Sequence, residues 1–235
     1  LPLYLADGSR KLYSEKLANL ALWVLLVTSV TSGLHHFITF YPNQPAALSY
    51  WGNIMSWGTG IGAAISIFTI LATIWQHGLK PEPGIIAVLV GWALYILDGA
   101  SAIVTSNIAW TYQLHGTMWQ SGHFMTVVLS MSLMWMGVLY HHYPVLTGRK
   151  LDAALGSLYI KLMTVGSFGA AIVMLAGGAA GMPRRFADWH PEGWMLYGNL
   201  ILAFGLVLGA SFAVYLYNLM KSREISAPMG ELARA

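Results

Sequence analysis

Histidine, methionine and arginine carry the chemistry open to this chain. His35 and His36 are adjacent, His123 stands in an apolar stretch with Met125 two residues on, and Arg184-Arg185 is a doublet among only 12 Lys and Arg. Imidazole suits copper, iron and zinc, and a thioether can serve as an axial ligand of haem iron. Adjacent residues lie about 100° apart on a helix, so His35 and His36 reach one metal only where the helix meets it obliquely. A metal-free interfacial pair is the alternative. An ionisable ring at the depth of His123 is costly and marks a functional site by default; a neutral ring bonded to a backbone carbonyl is the bland reading. Positions i and i+2 point about 200° apart, so His123 and Met125 face opposite sides of one helix. Met125 is equally suited to filling a core, since methionine packs adaptably. Guanidinium is permanently charged and binds carboxylate bidentately, which fits Arg184 and Arg185 to an anionic ligand or to lipid phosphate.

Two further charges, Asp98 and Lys161, fall inside apolar runs. Asp98 is embedded deeply enough to be a proton-relay carboxyl or half of a buried pair, whereas Lys161 is close enough to an end to snorkel. His115 precedes His123 by eight residues, about 12 Å on a continuous helix, and so is expected two turns outward from it. His77, His141, His142 and His190 are expected at interfaces.

These side chains need a scaffold, and composition decides its class. The chain is 57% hydrophobic and 9% charged, far below the roughly 25% charge of soluble domains. Apolar runs long enough to cross a bilayer of about 30 Å recur. Helix is the default for each, because backbone in lipid must satisfy its own hydrogen bonds. The fold class expected is an all-α polytopic membrane bundle of about six spans, over 15–40, 50–77, 84–107, 113–142, 152–179 and 191–221. Residues 1–221 form the bundle and 222–235 a polar cytoplasmic tail, frayed or extramembrane. Pro42, Pro45, Pro81, Pro83, Pro144 and Pro183 are expected between spans, where a missing N–H does no harm. Basic residues gather in alternate loops (Arg10, Lys11, Lys16, Lys80, Arg149, Lys150, Lys221, Arg223, Arg234), while 41–49 and 108–112 carry no charge. The positive-inside rule then puts both termini in the cytoplasm. Arg184 and Arg185 break that rule, which points to another task. Basic loops account for the net charge of +3 without a nucleic-acid partner. The absence of cysteine excludes disulfides, thiolate-held iron–sulfur clusters and cysteine-attached haem. A start at Leu1 suggests a processed, trimmed or partial polypeptide.

Gly33-Leu34-His35-His36, Leu114-His115-Gly116-Thr117, Ser121-Gly122-His123-Phe124-Met125 and Gly181-Met182-Pro183-Arg184-Arg185 follow in this order. Together they resemble the catalytic subunit of the haem-copper oxidases, over the second half of that family's twelve-helix core. The match is most similar to the B-type branch, through Trp119 and His115-x-Thr117. The resemblance implies that His35 and His36 hold active-site copper and His123 the high-spin haem iron. It also implies that His115, Arg184 and Arg185 hold the haem propionates. The sequence departs from the family at Met125, where a His would bind a low-spin haem, and at Gly116, where an Asp or Asn would favour a divalent ion. Ser56, Thr59, Ser66 and Thr69 lie where a B-type proton path would run, with only a partial match.

The activity implied is that of a terminal oxidase, reducing oxygen to water with electrons from cytochrome c, another small donor or quinol. The cofactors implied are one or two haems and copper. The third copper ligand and one low-spin ligand lie in the missing half, which implies a partner chain, alongside a subunit II-like electron-entry protein and lipid, in a prokaryotic plasma membrane. Alternatives are a nitric oxide reductase-type subunit, a membrane cytochrome without oxygen chemistry, and a structural remnant without haem.

Overall fold

The computed structural model describes residues 11–34, 45–79, 81–185 and 192–225. Seven helices run through them: α1 (Glu15–Ser32), α2 (Ala46–His77), α3 (Pro83–Ser106), α4 (Ile108–Leu114), α5 (Met118–Thr147), α6 (Ala153–Ala179) and α7 (Glu192–Met220). The sequence sets their starts. The Ser14 side chain accepts from Leu17 N to cap α1, the Asp152 carboxylate accepts from Leu155 N to cap α6, and Pro83 opens α3, where its missing N–H would be unpaired in any case. Five helices, α2, α3, α5, α6 and α7, are long and apolar enough to cross a membrane. The chain is therefore a multi-pass membrane protein. The sixth expected span begins with α1, and its remainder, 35–40, lies outside the described residues.

Two expectations need correction. The fourth span is not continuous from 113: α4 occupies 108–114, expected in part as loop, and a turn at 115–117 separates it from α5. Gly116 has φ +87°, and the Thr117 side chain accepts from Trp119 N to start a new helix. Pro144 lies inside α5 rather than beyond it. Arg223–Glu224 (β2) pairs antiparallel with Arg149–Lys150 (β1), and Arg149 Nε donates to Ser222 Oγ at 2.8 Å.

Packing proceeds in neighbouring pairs, chiefly α1 on α2, α3 on α5 and α6 on α7, with α5 against α6 joining the last two. The buried centre holds Leu94, Leu129, Leu133, Tyr159, Met163 and Ala171. Between α3 and α5 the packing repeats. A side chain at Gly84 would meet the Gly137 carbonyl at 2.7 Å, and one at Gly91 would meet the Ser130 carbonyl at 2.7 Å. Both partners step by seven residues in opposite directions, as in an antiparallel seam of two supercoiled helices. Small residues let the backbones touch, which is how helices associate in lipid without a hydrophobic driving force.

Candidate metal centre around His123

One more seven-residue step along this seam, from Gly91 and Ser130, reaches Asp98 and His123. His123 Nδ1 lies 2.8 Å from Asp98 Oδ1, with side-chain exposures of 14% and 8%. Ser101 Oγ donates to the Asp98 carbonyl at 2.8 Å and lies 3.2 Å from the same Nδ1, so its lone pairs are available to the ring. A ring nitrogen facing two acceptors carries the hydrogen. The other nitrogen, Nε2, then keeps its lone pair, the form that ligates a metal. Thr126 Oγ1 lies 2.9 Å from Asp98 Oδ1 and 2.6 Å from the His123 carbonyl oxygen. The donor set therefore fits a haem iron on Nε2.

The polar line continues outward along α3. Thr105 Oγ1 donates to the Ser101 carbonyl at 2.8 Å and accepts from Trp119 Nε1 at 2.8 Å. Trp119 thus ties the start of α5 to α3. Sequence reading found Asp98 and Trp119 but missed Ser101, Thr105 and Thr126. The signal was present: Asp98, Ser101 and Thr105 are three and four residues apart, which places them on one face of a helix.

At the end of the bundle where α5 begins, the two loops expected to hold propionates meet backbone to backbone. Met118 N donates to the Met182 carbonyl at 2.7 Å, and Arg184 N donates to the Gly116 carbonyl at 3.0 Å. Thr117 and Pro183 form a β-bridge. His115 thereby sits beside Arg184, and it lies in the turn rather than two turns up the His123 helix. Burial lowers its pKa below the ordinary 6.5, and the Arg184 charge lowers it further. Arg184 is half-buried and Arg185 exposed. Close packing fixes the junction: a side chain at Gly178 would fall 1.8 Å from Trp119 N. A cavity of about 350 Å³ opens beside Trp110, Trp119 and residues 178–181.

Met125 is half-buried against the apolar cluster of α3, α5 and α6. Lys161 is exposed. The α2 hydroxyls bond chiefly within the helix: Ser56 to the Gly52 carbonyl at 2.7 Å, Thr59 to the Met55 carbonyl at 3.1 Å and Thr69 to the Ile65 carbonyl at 2.8 Å, while Thr59 also lies 3.1 Å from Thr28 Oγ1 on α1. Such back-bonding is ordinary for hydroxyls within helices. His35 and His36 lie outside the described residues. Among the described residues no three His, Asp or Glu side chains group as a metal site.

Residues 2–208 match the profile of the cytochrome c and quinol oxidase polypeptide I family. The chain belongs to that family. Among its relatives is cytochrome c oxidase subunit 1 of Thermus thermophilus, 28% identical over 94% of this chain and 44% of the relative. The Thermostichus vulcanus cytochrome c oxidase subunit 1 is 27% identical over 80% of the chain and 34% of its own length. The Halobacterium salinarum cytochrome c oxidase polypeptide 1 is 24% identical over 92% and 36%. A solved haem-copper terminal oxidase dimer superimposes with a TM-score of 0.84, 22% identity, and coverage of 96% of this chain and 45% of that one. That likeness shows the helical fold of this oxidase-family chain. The chain spans less than half the length of each of these relatives.

Proposed function

We propose that this chain is the haem-binding part of a split or truncated haem-copper oxidase catalytic subunit, closest to the B-type branch. It works with a partner chain supplying the first half of the core and with a subunit II-like electron-entry protein. Oxygen is reduced to water with electrons from cytochrome c, another small donor or quinol. The observation that carries this reading is His123, partly buried in a span with Nδ1 2.8 Å from the Asp98 carboxylate, so that Nε2 is left to bind iron. Bound haem supplies the redox chemistry. The chain's residues bind and orient it: His123 holds the iron, Arg184, Arg185 and His115 hold the propionates, and Trp119 braces α5 against α3. His35 and His36 are assigned to copper opposite the haem. The seat is a prokaryotic plasma membrane with both termini cytoplasmic. The bundle occupies 1–221, with 222–235 as the cytoplasmic tail.

The test is a visible absorption spectrum of the purified complex, reduced and then reduced with carbon monoxide. The expected result is a haem band that shifts with carbon monoxide and is lost in His123→Ala. Haem bands indifferent to carbon monoxide would replace oxygen reduction with simple electron transfer, and absence of haem would leave a structural remnant. Met125 is assigned to a second, low-spin haem. Met125→Leu conserves volume and the fold; loss of a low-spin band supports ligation, and an unchanged spectrum makes Met125 a core filler.

A further inference from the structure

We propose that Asp98 is the positioning residue for His123, fixing the ring's tautomer and strengthening its donation to iron from the adjacent helix. The proposal rests on the haem reading above. Its independent ground is the convergence on one carboxylate oxygen: His123 Nδ1 at 2.8 Å and Thr126 Oγ1 at 2.9 Å both face Asp98 Oδ1. Asp98 is only 6% exposed. A carboxylate at that depth is costly, and a mere helix-to-helix tie could be made by hydroxyls, as Trp119 and Thr105 make one nearby. What a carboxylate adds is charge. A histidine whose second nitrogen donates to a carboxylate is oriented by it and becomes a more basic ligand. Second-shell hydrogen bonding is one of the protein's levers on haem potential. Ser101 completes the arrangement. By donating to the Asp98 carbonyl it can only accept from the ring.

The experiment uses the assembled complex and reads the iron–histidine stretching band by resonance Raman, together with the midpoint potential of the carbon monoxide-reactive haem. Asp98→Asn keeps the shape and removes the charge; the band is expected to move to lower frequency and the potential to rise. Asp98→Glu restores the charge and returns both toward wild type. Thr126→Val removes the hydroxyl whose one hydrogen Oδ1 shares with the His123 and Gly122 carbonyls, and is expected to shift both readouts in the opposite sense. A helix anchor without electronic effect would not produce opposite signs. Unchanged band and potential in Asp98→Asn and Thr126→Val, with haem content intact, would overturn the proposal. If Asp98→Asn fails to assemble, Thr126→Val decides alone, because it retains the carboxylate. Retention of the carbon monoxide-reactive haem in His123→Ala would instead overturn the haem reading itself.

Discussion

At His115 a backbone arrangement imposes an electrostatic one. The hydrogen bond from Arg184 N to the Gly116 carbonyl brings a permanent cation beside an imidazole that burial already keeps below its ordinary pKa of 6.5. The folded chain therefore binds this proton less readily than the unfolded chain. The stability at stake is fully present above the unfolded pKa and is lost as pH falls through 6.5 toward the lower folded value. Thermal denaturation of the purified complex on either side of pH 6.5 is expected to show that acid-side loss, and a shallower one in Arg184→Gln. Equal pH dependence in both proteins would refute it. The chemistry of this pair was legible in the sequence, but its proximity was not. Arg184 and His115 are far apart along the chain, and only the meeting of two turns joins them. The same holds for Asp98, whose charge inside a span marked it for pairing while its partner stayed unnamed.

The long helices follow directly from apolar runs, and their existence was legible for that reason. Their interruptions were not. Residues 112–117 carry no Asp, Glu, Lys or Arg, so a span could be drawn through them, yet Gly116 and the Thr117 cap break it. Pro144 lies in the last turn of α5, close to the Gly148 stop, and forfeits there the bond an N–H would make to the preceding turn. The junction between α5 and α6 gives a clear test of packing. Gly178→Ala sets a methyl group against the Trp119 backbone, which cannot swing aside as a side chain can. A cost of about 1–3 kcal/mol, typical of overpacking, is expected. Gly205→Ala, on α7 with nothing within 4 Å of the added carbon, is the control and should leave the thermal midpoint unchanged or slightly raised, since alanine favours helix over glycine. Equal midpoints for the two variants would show that the junction has slack.

As a whole, this bundle places His123, the ring proposed to bind iron, next in sequence to a side chain at its surface. Phe124, beside His123, is 64% exposed, and Trp75 on α2 is 91% exposed. Lipid can cover Trp75, but a haem beside His123 needs a wall on its far side as well. On the proposed function, that wall would come from the partner chain. Expressed alone, the chain should insert in the membrane yet show no carbon monoxide-reactive haem; co-expression with the first-half polypeptide should restore it. A carbon monoxide-reactive spectrum from the chain alone would remove the need for that partner. The α3–α5 seam carries a last consequence, which concerns counting. Gly84 to Asp98 and His123 to Gly137 are the same number of residues, so the ring meets its carboxylate because two intervals agree. Deleting one residue between Gly84 and Asp98 would turn Asp98 by about 100° and slide it about 1.5 Å along the axis. Many substitutions along this stretch are tolerable, but a change of length is not: here the interval itself is the inherited information.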